Sequence, residues 1–367
     1  MSNLHELQQG GQSPWLNYMR REFIESNELR QCIEMGIEGI TVNAAVFADT
    51  ITCHDDYDLA IQQAIVAGIP YRRIHQSLMI DDVQRTADML HPVFEASEGL
   101  NGFASLELDP ALADNVNKTV ATAKHLLAGI DRGNTMVEIP ATRNGCAAIR
   151  RLTADGVSLN ATHIFSVAVF ERVAQAYIDG LEQFFETHSV WRITPTAVAS
   201  FSIAPIDAMV DSILEEKALP TLQGQTGLAL AHLLYARFRQ IFSGPRWRQL
   251  QKRGARWLRP KWTRLQPIHL DYPDTFYIEA LPVPDTVMTF TPELLTHFLD
   301  KERIRRPLTD SPYLSLQHME NLTAANIDVN WVADQLQQQH MAASAAQHET
   351  LIQRIVTKLP AIALTVG

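Results

Sequence analysis

Residues 134–166 read NTMVEIPATRNGCAAIRRLTADGVSLNATHIFS, and this stretch decides the fold. Two short apolar runs, Thr135 to Pro140 and Val157 to Phe165, are separated by a longer amphipathic stretch, which is the pattern of a βα unit in a parallel sheet. Working outward, the same alternation recurs. Ser13 to Tyr18, Gly39 to Val46 and Gly102 to Leu108 come before it; Ala197 to Ile203, Pro260 to Leu265 and Val287 to Phe290 follow. Between runs, stretches such as Tyr57 to Ala67, Asp81 to Glu98, Pro110 to Ala128 and Ser166 to Thr187 space apolar residues by three and four, as one helix face requires. Eight such units predict an α/β protein, a closed (β/α)8 TIM barrel. Gly224 to Gln249 reads as one long helix, and Ala324 to Leu359 as one or two extra terminal helices on the barrel's outside.

The composition suits such a barrel. The chain has 367 residues, 46% hydrophobic and 20% charged, with 18 Pro and 17 Gly, a globular balance with ample core. No linker divides it, so residues 1–367 are read as a single domain. A net charge of −10 argues against a general nucleic-acid role. The start, MSNLHELQQGGQSPW, lacks a secretory pattern and no apolar run approaches a membrane span, so no membrane partner is expected and the location is read as cytoplasmic. Cys32, Cys53 and Cys146 show no metal-type spacing and are read as reduced structural thiols. The basic run from Arg246 to Arg264 reads as a solvated surface, with a polyanion site as the alternative. His54 to Asp58 and the pair Asp81–Asp82 read as helix caps rather than a diphosphate motif. No nucleotide loop, zinc motif or nucleophile elbow is present, and neither cofactor nor metal is expected.

Seven blocks, in order, carry a resemblance. GQSPWLN (11–17) is similar to GQSxWLD, GITVNAAVF (39–47) to GVTxNPxIF, and GFASLELDPALA (102–113) to GxVSxEVDPxLA. NTMVEIPATRNG (134–145) is similar to NLxIKIPATxxG, VSLNATHIFS (157–166) to ISVNVTLIFS, and VASFSIAPID (198–207) to VASFFVSRVD. RPKWTRL followed by YPDTFYIEAL resembles RPLWASTGxKNPxYxDTLYVxxL. These are words of the long bacterial transaldolases, and the resemblance spans nearly the whole chain. It implies a barrel of the transaldolase, class I aldolase type, with substrate at the carboxyl ends of the strands.

The departures concern chemistry. The family's lysine in IKIPAT attacks a sugar ketone to form a Schiff base, and Glu138 stands at its place; a carboxylate cannot form an imine. The proton-transferring aspartate of WLD corresponds to Asn17. The family's phosphate-binding arginine after the sixth strand and basic residue after the seventh correspond to Pro205 and Ile268, neither a donor. The strand-seven serine corresponds to Arg264. Glu107 matches a proton-shuttling glutamate, while Asn43, Asn160, Thr162 and Ser200 match polar residues that position substrate or water.

Alternation along the strands directs Asn17, Asn43, Glu107, Glu138, Asn160, Thr162, Ser200, Trp262 and Arg264 toward the barrel interior or mouth. On this phase Lys261 and His163 point outward. Glu107 and Glu138, from adjacent strands, can share a proton as acid and base. The resulting expectation is an enzyme without Schiff-base chemistry: a lyase, isomerase or cyclase acting by carboxylate catalysis on an unphosphorylated, partly apolar small molecule in specialised metabolism. Two alternatives stand beside it: a noncatalytic ligand-binding or scaffolding protein in which Glu138 and Arg264 form a structural salt bridge, and an aldolase acting through a displaced lysine. A homodimer is an alternative to the monomer.

Overall fold

A computed structural model describes residues 3–42, 47, 50–51, 54–188, 194–268, 272–300 and 312–363. Eight parallel strands form one closed barrel in sequence order. They are β1 (Gln12–Asn17), β2 (Gly39–Val42), β3 (Phe103–Glu107), β4 (Thr135–Pro140), β5 (Leu159–Ile164), β6 (Ala197–Ser202), β7 (Leu258–Thr263) and β8 (Thr286–Phe290). All eight predicted runs overlap an observed strand. The barrel closes by pairing β1 with β8, Gln12 opposite Thr286 through Leu16 opposite Phe290.

Alternation sorts the side chains into two sets. Outward residues such as Leu16, Leu106, Val137, Ile139, Ala199, Phe201 and Met288 join the helices in the large apolar core. Inward residues Trp15, Phe103, Met136, Val198 and Val287, together with Phe94, pack as a separate apolar layer that fills the barrel. Gly39 is required beside this layer: a Cβ there would lie 2.4 Å from the Trp15 ring.

Below that layer the amino end of the barrel is closed by polar side chains. Arg259 donates to Ser13 Oγ at 2.8 Å, Leu100 O at 2.7 Å and Asn101 Oδ1 at 2.9 Å. Asn101 in turn donates to Glu38, which also receives Gln8. Burial pushes the Arg259 guanidinium down to about 10, and this ring of partners makes the buried cation tolerable.

Several helical expectations change. The predicted helix over Gly224 to Gln249 is two helices, Thr226–Ile241 and Pro245–Lys252, because Gly244 and Pro245 interrupt the ladder and Pro245 starts the second as its first residue. Asp56 does not cap the helix that follows it, Asp58–Val66; it pairs with Arg20 at 2.7 Å and accepts from Glu22 N at 3.3 Å, in the first turn of the helix Arg21–Glu25. Asp82 lies inside the long helix Tyr71–Ala96, fully buried, where it receives Arg21 at 2.6 Å and the Tyr57 hydroxyl at 2.7 Å. The basic run is dispersed: Arg246 pairs with Asp179 and Glu182, Arg253 lies over the Phe185 ring, and Arg259 and Lys261 are inside the barrel. The terminal helices are Tyr313–Ala324 and Val329–Ala363. The latter does not keep to the outside. Gln337 donates to His163 O at 2.9 Å, and Ser344 and Gln347 reach the cleft at the carboxyl ends of the strands. No helix among the described residues is long and apolar enough to cross a membrane. Cys32 and Cys146 are unpaired and half-buried, and Cys53 lies outside the described residues.

Candidate active site

The polar rungs above the apolar layer are set by strand register. Glu107 stands opposite Glu138, and Glu138 opposite Asn160, so one row crosses β3, β4 and β5. On the far side of the barrel Ser200 stands opposite Lys261. All of these but Asn160 border a cleft of about 360 Å³, whose wall includes Asn17, Thr41, Glu107, Glu138, Thr162, Ser200, Lys261 and Arg264.

Glu138 is the hub of its floor. Its Oε1 accepts from Thr41 Oγ1 at 2.5 Å, Ser105 Oγ at 2.8 Å and Asn160 Nδ2 at 3.1 Å. Ser200 Oγ donates to Asn160 Oδ1 at 2.7 Å, which fixes the amide so that its nitrogen faces Glu138. Three donors on one oxygen hold the carboxylate in a single orientation. Asn160 thus acts beneath the cleft, while Asn17 and Thr162 border it directly. Asn43 lies outside the described residues.

Two expected orientations are reversed. On β7 the inward phase is Arg259, Lys261 and Thr263. Trp262 faces outward, fully buried and edge-on to Phe201 at 6.2 Å, so it touches no ligand in the cleft. The large indole belongs in the layer between sheet and helices, where the apolar area is. Lys261 is 1% exposed, with its Nζ 4.8 Å from the centroid of the Trp15 ring. Burial pulls its pKa down to about 8, against the pull of Glu138 toward the charged form. Lys118, Lys124, Lys217 and Lys252 are all exposed, so the cleft has one lysine among those described. The signal for it lay in the sequence: Arg259, Lys261 and Thr263 are polar at alternate positions, whereas Leu258, Pro260 and Trp262 are not.

His163 is the second reversal. The pairing of β5 with β6 shifts register between Ala161 and Ile164, and His163 has φ of 58°. This bulge turns the imidazole into the cleft wall beside Thr162. Burial, then His340 and Arg264, lower its pKa to about 4. Arg264 does border the cleft, but by ending the strand with φ of 53° rather than by alternation. It forms no ion pair with Glu138 among the described residues; the carboxylate whose charge it feels is Glu107. The structural salt bridge is therefore not formed. No group of three or more His, Cys, Asp or Glu among the described residues is placed to hold a metal ion.

Residues 14–355 match the family model described as transaldolase/fructose-6-phosphate aldolase. The chain is 34% identical over 351 residues to transaldolase 2 of Nostoc punctiforme, covering 91% of this chain and 92% of that protein. It is 32% identical over 367 residues to a transaldolase of Thermobifida fusca, covering 98% and 99%. A transaldolase of Mycobacterium ulcerans is 34% identical over 336 residues, 89% of each. These full-length relatives overturn the expectation of a lyase, isomerase or cyclase without Schiff-base chemistry. That expectation rested on the absence of an inward amine, and the inward Lys261 removes its premise. A closed eight-stranded barrel and similarity from end to end converge: the chain belongs to the transaldolase/fructose-6-phosphate aldolase family of enzymes.

Proposed function

We propose that this protein makes and breaks carbon–carbon bonds of ketoses as its transaldolase relatives do, through an imine on Lys261 of β7, with Glu138 standing where the family's lysine is expected. The observation that carries this reading is the placement of Lys261: an amine inside the barrel, bordering the cleft, with its pKa pulled to about 8. At pH 7.5 roughly a quarter of such amines are unprotonated, against about one in a thousand at the ordinary lysine value. A buried amine of lowered pKa is the nucleophile that imine chemistry needs.

The neutral Nζ adds to the ketose carbonyl, and the carbinolamine loses water to give the iminium. Removal of the proton from the hydroxyl two carbons along breaks the carbon–carbon bond and releases an aldehyde. The electron pair of that bond moves into the imine, leaving an enamine, which then adds to an acceptor aldehyde. Hydrolysis returns Lys261. Proton transfers fall to the carboxylates at the floor: Glu138, held as an acceptor by Thr41, Ser105 and Asn160, and Glu107 on the neighbouring strand. The three donors on Glu138 keep it oriented through each step.

Reduction with borohydride in the presence of dihydroxyacetone or fructose 6-phosphate, followed by peptide mass mapping, tests the assignment. A reduced adduct on Lys261 that is lost in Lys261→Met supports it. Absence of an adduct, or an adduct on another lysine, overturns it.

A further inference from the structure

The buried hydroxyls around the cleft are nearly all committed. Thr41 Oγ1 donates to Glu138, Ser200 Oγ donates to Asn160 Oδ1, and Ser202 Oγ shares a 3.3 Å hydrogen bond with Thr263 Oγ1. Thr289 differs. It borders the cleft from β8 and is 6% exposed, and its Oγ1 has no hydrogen-bond partner among the described residues. A buried hydroxyl without a partner destabilises a fold, and native structures hold few of them. Valine has nearly the same shape without that cost.

The barrel register sets what this hydroxyl faces. Val287 belongs to the inward apolar layer while Met288 and Phe290 join the outer core, so alternation brings Thr289 inward, one rung above Val287. On one side Thr289 stands opposite Trp15, whose ring centroid lies 4.8 Å from the Lys261 amine. On the other side β7 pairs Lys261 with Val287, on the rung below. Amine and hydroxyl thus enter one cleft from neighbouring strands. A hydroxyl that donated to the amine would occupy the lone pair a nucleophile needs; the Thr289 hydroxyl makes no such bond.

Imine formation concentrates its charge changes on one oxygen. As Nζ adds to the carbonyl carbon, the C–N bond forms and the π pair moves onto oxygen, which gains a proton as nitrogen sheds one. That is the carbinolamine. The oxygen then takes a second proton and leaves as water, while the nitrogen lone pair closes the C=N bond of the iminium. A fixed donor aimed at such an oxygen stabilises the developing charge most in a site shielded from water. We propose that the Thr289 hydroxyl donates to this oxygen, holding the substrate carbonyl for attack by Lys261 and stabilising the charge that gathers on it. The proposal rests on the Lys261 reading. A hydroxyl is too weak an acid to give up its proton here, so the protons come from the carboxyl groups, and Thr289 donates without transferring.

The test is the rate at which the reduced adduct accumulates on Lys261 of the full chain, followed by mass spectrometry with saturating dihydroxyacetone and excess cyanoborohydride. Wild type, Thr289→Val and Thr289→Ser are compared, each checked for folding by circular dichroism. Thr289→Val should form the adduct about 10²-fold more slowly, as when one oxyanion donor is removed. Thr289→Ser keeps the hydroxyl and should recover most of the rate. Acetone, a ketone without hydroxyls, should show the same loss in Thr289→Val, because the donor serves the carbonyl oxygen. Three results overturn the assignment: adduct formation in Thr289→Val at the wild-type rate, a Thr289→Ser as slow as Thr289→Val, or a loss seen with dihydroxyacetone and not with acetone. The two readings fail separately. An adduct formed equally by wild type and Thr289→Val removes the role of Thr289 alone, whereas no adduct on Lys261 of wild type removes the imine and the role of Thr289 with it.

Discussion

The amine of Lys261 rests over the face of Trp15, 4.8 Å from the ring centroid. The indole face and the Glu138 carboxylate both favour the ammonium, while burial opposes it, and burial prevails by moving the pKa to about 8. The rate of imine formation, followed as kcat/KM against pH, should therefore rise through a limb near pH 8. Glu138→Gln removes the charge that supports the ammonium, so the limb should move to lower pH. Turnover should fall by about 10²–10⁴-fold if the carboxylate also transfers protons. A limb near the ordinary lysine value, unmoved by Glu138→Gln, would exclude Lys261 as the nucleophile.

The same depressed pKa costs the fold stability. The unfolded chain holds the Lys261 proton up to about pH 10.5, and the folded chain releases it near 8. Stability from this group is therefore lowest below pH 8 and recovers as pH rises toward 10.5. Lys261→Met should stabilise the protein at pH 7 by about 3 kcal/mol, the equivalent of the shift. That advantage should shrink above pH 8. Urea unfolding of both proteins at pH 7 and pH 9.5 measures it; a less stable Lys261→Met at both would contradict the assignment.

Away from the cleft, Asp82 receives Arg21 and the Tyr57 hydroxyl in full burial. Asp82→Ala removes the buried partner of the Arg21 guanidinium and the acceptor of the Tyr57 hydroxyl, leaving Arg21 only the half-exposed Asp81 at 2.8 Å, and should cost about 3 kcal/mol in denaturant unfolding. Exposed pairs such as Arg85 with Glu25 should cost under about 1 kcal/mol when broken.

Gly145 lies in the first turn of the helix Arg143–Ala154 that follows β4, where a Cβ would fall 1.8 Å from Pro140 O. Helix propensity favours alanine there by about 1 kcal/mol, yet the clash is with backbone at the end of the strand that carries Glu138. Gly145→Ala should lower stability by about 2 kcal/mol or more and reduce activity with it. A variant as stable as wild type would show that this junction yields.

The barrel was legible because its signal is distributed: seven ordered sequence blocks and eight apolar runs need no single residue to be read correctly. Alternation puts Glu107, Glu138, Asn17 and Ser200 at the cleft because their strands are regular there, and Thr162 keeps its inward phase although β5 shifts register beside it. Lys261 was missed through one phase choice on β7, anchored on Trp262. An aromatic residue in a parallel barrel belongs as readily in the helix-facing layer as in the interior, and RPKW beside the family's RPLW already put a lysine in an apolar position. His163 was missed for a different reason. A bulge breaks alternation, and no local residue pattern announces it. The terminal helix was visible as a helix, but its path over the strand ends is set by contacts far apart in sequence, such as Gln337 with His163 O.

The polar closure around Arg259 has a consequence for traffic. With the amino end closed among the described residues by Ser13, Asn101 and Glu38, the imine proposed on Lys261 would have its substrates enter and leave by the carboxyl-end cleft. A two-substrate exchange through one doorway is ordered in time. On the proposed reading the aldehyde released from the donor would depart before the acceptor takes its place, and the two substrates should give parallel lines in double-reciprocal kinetics.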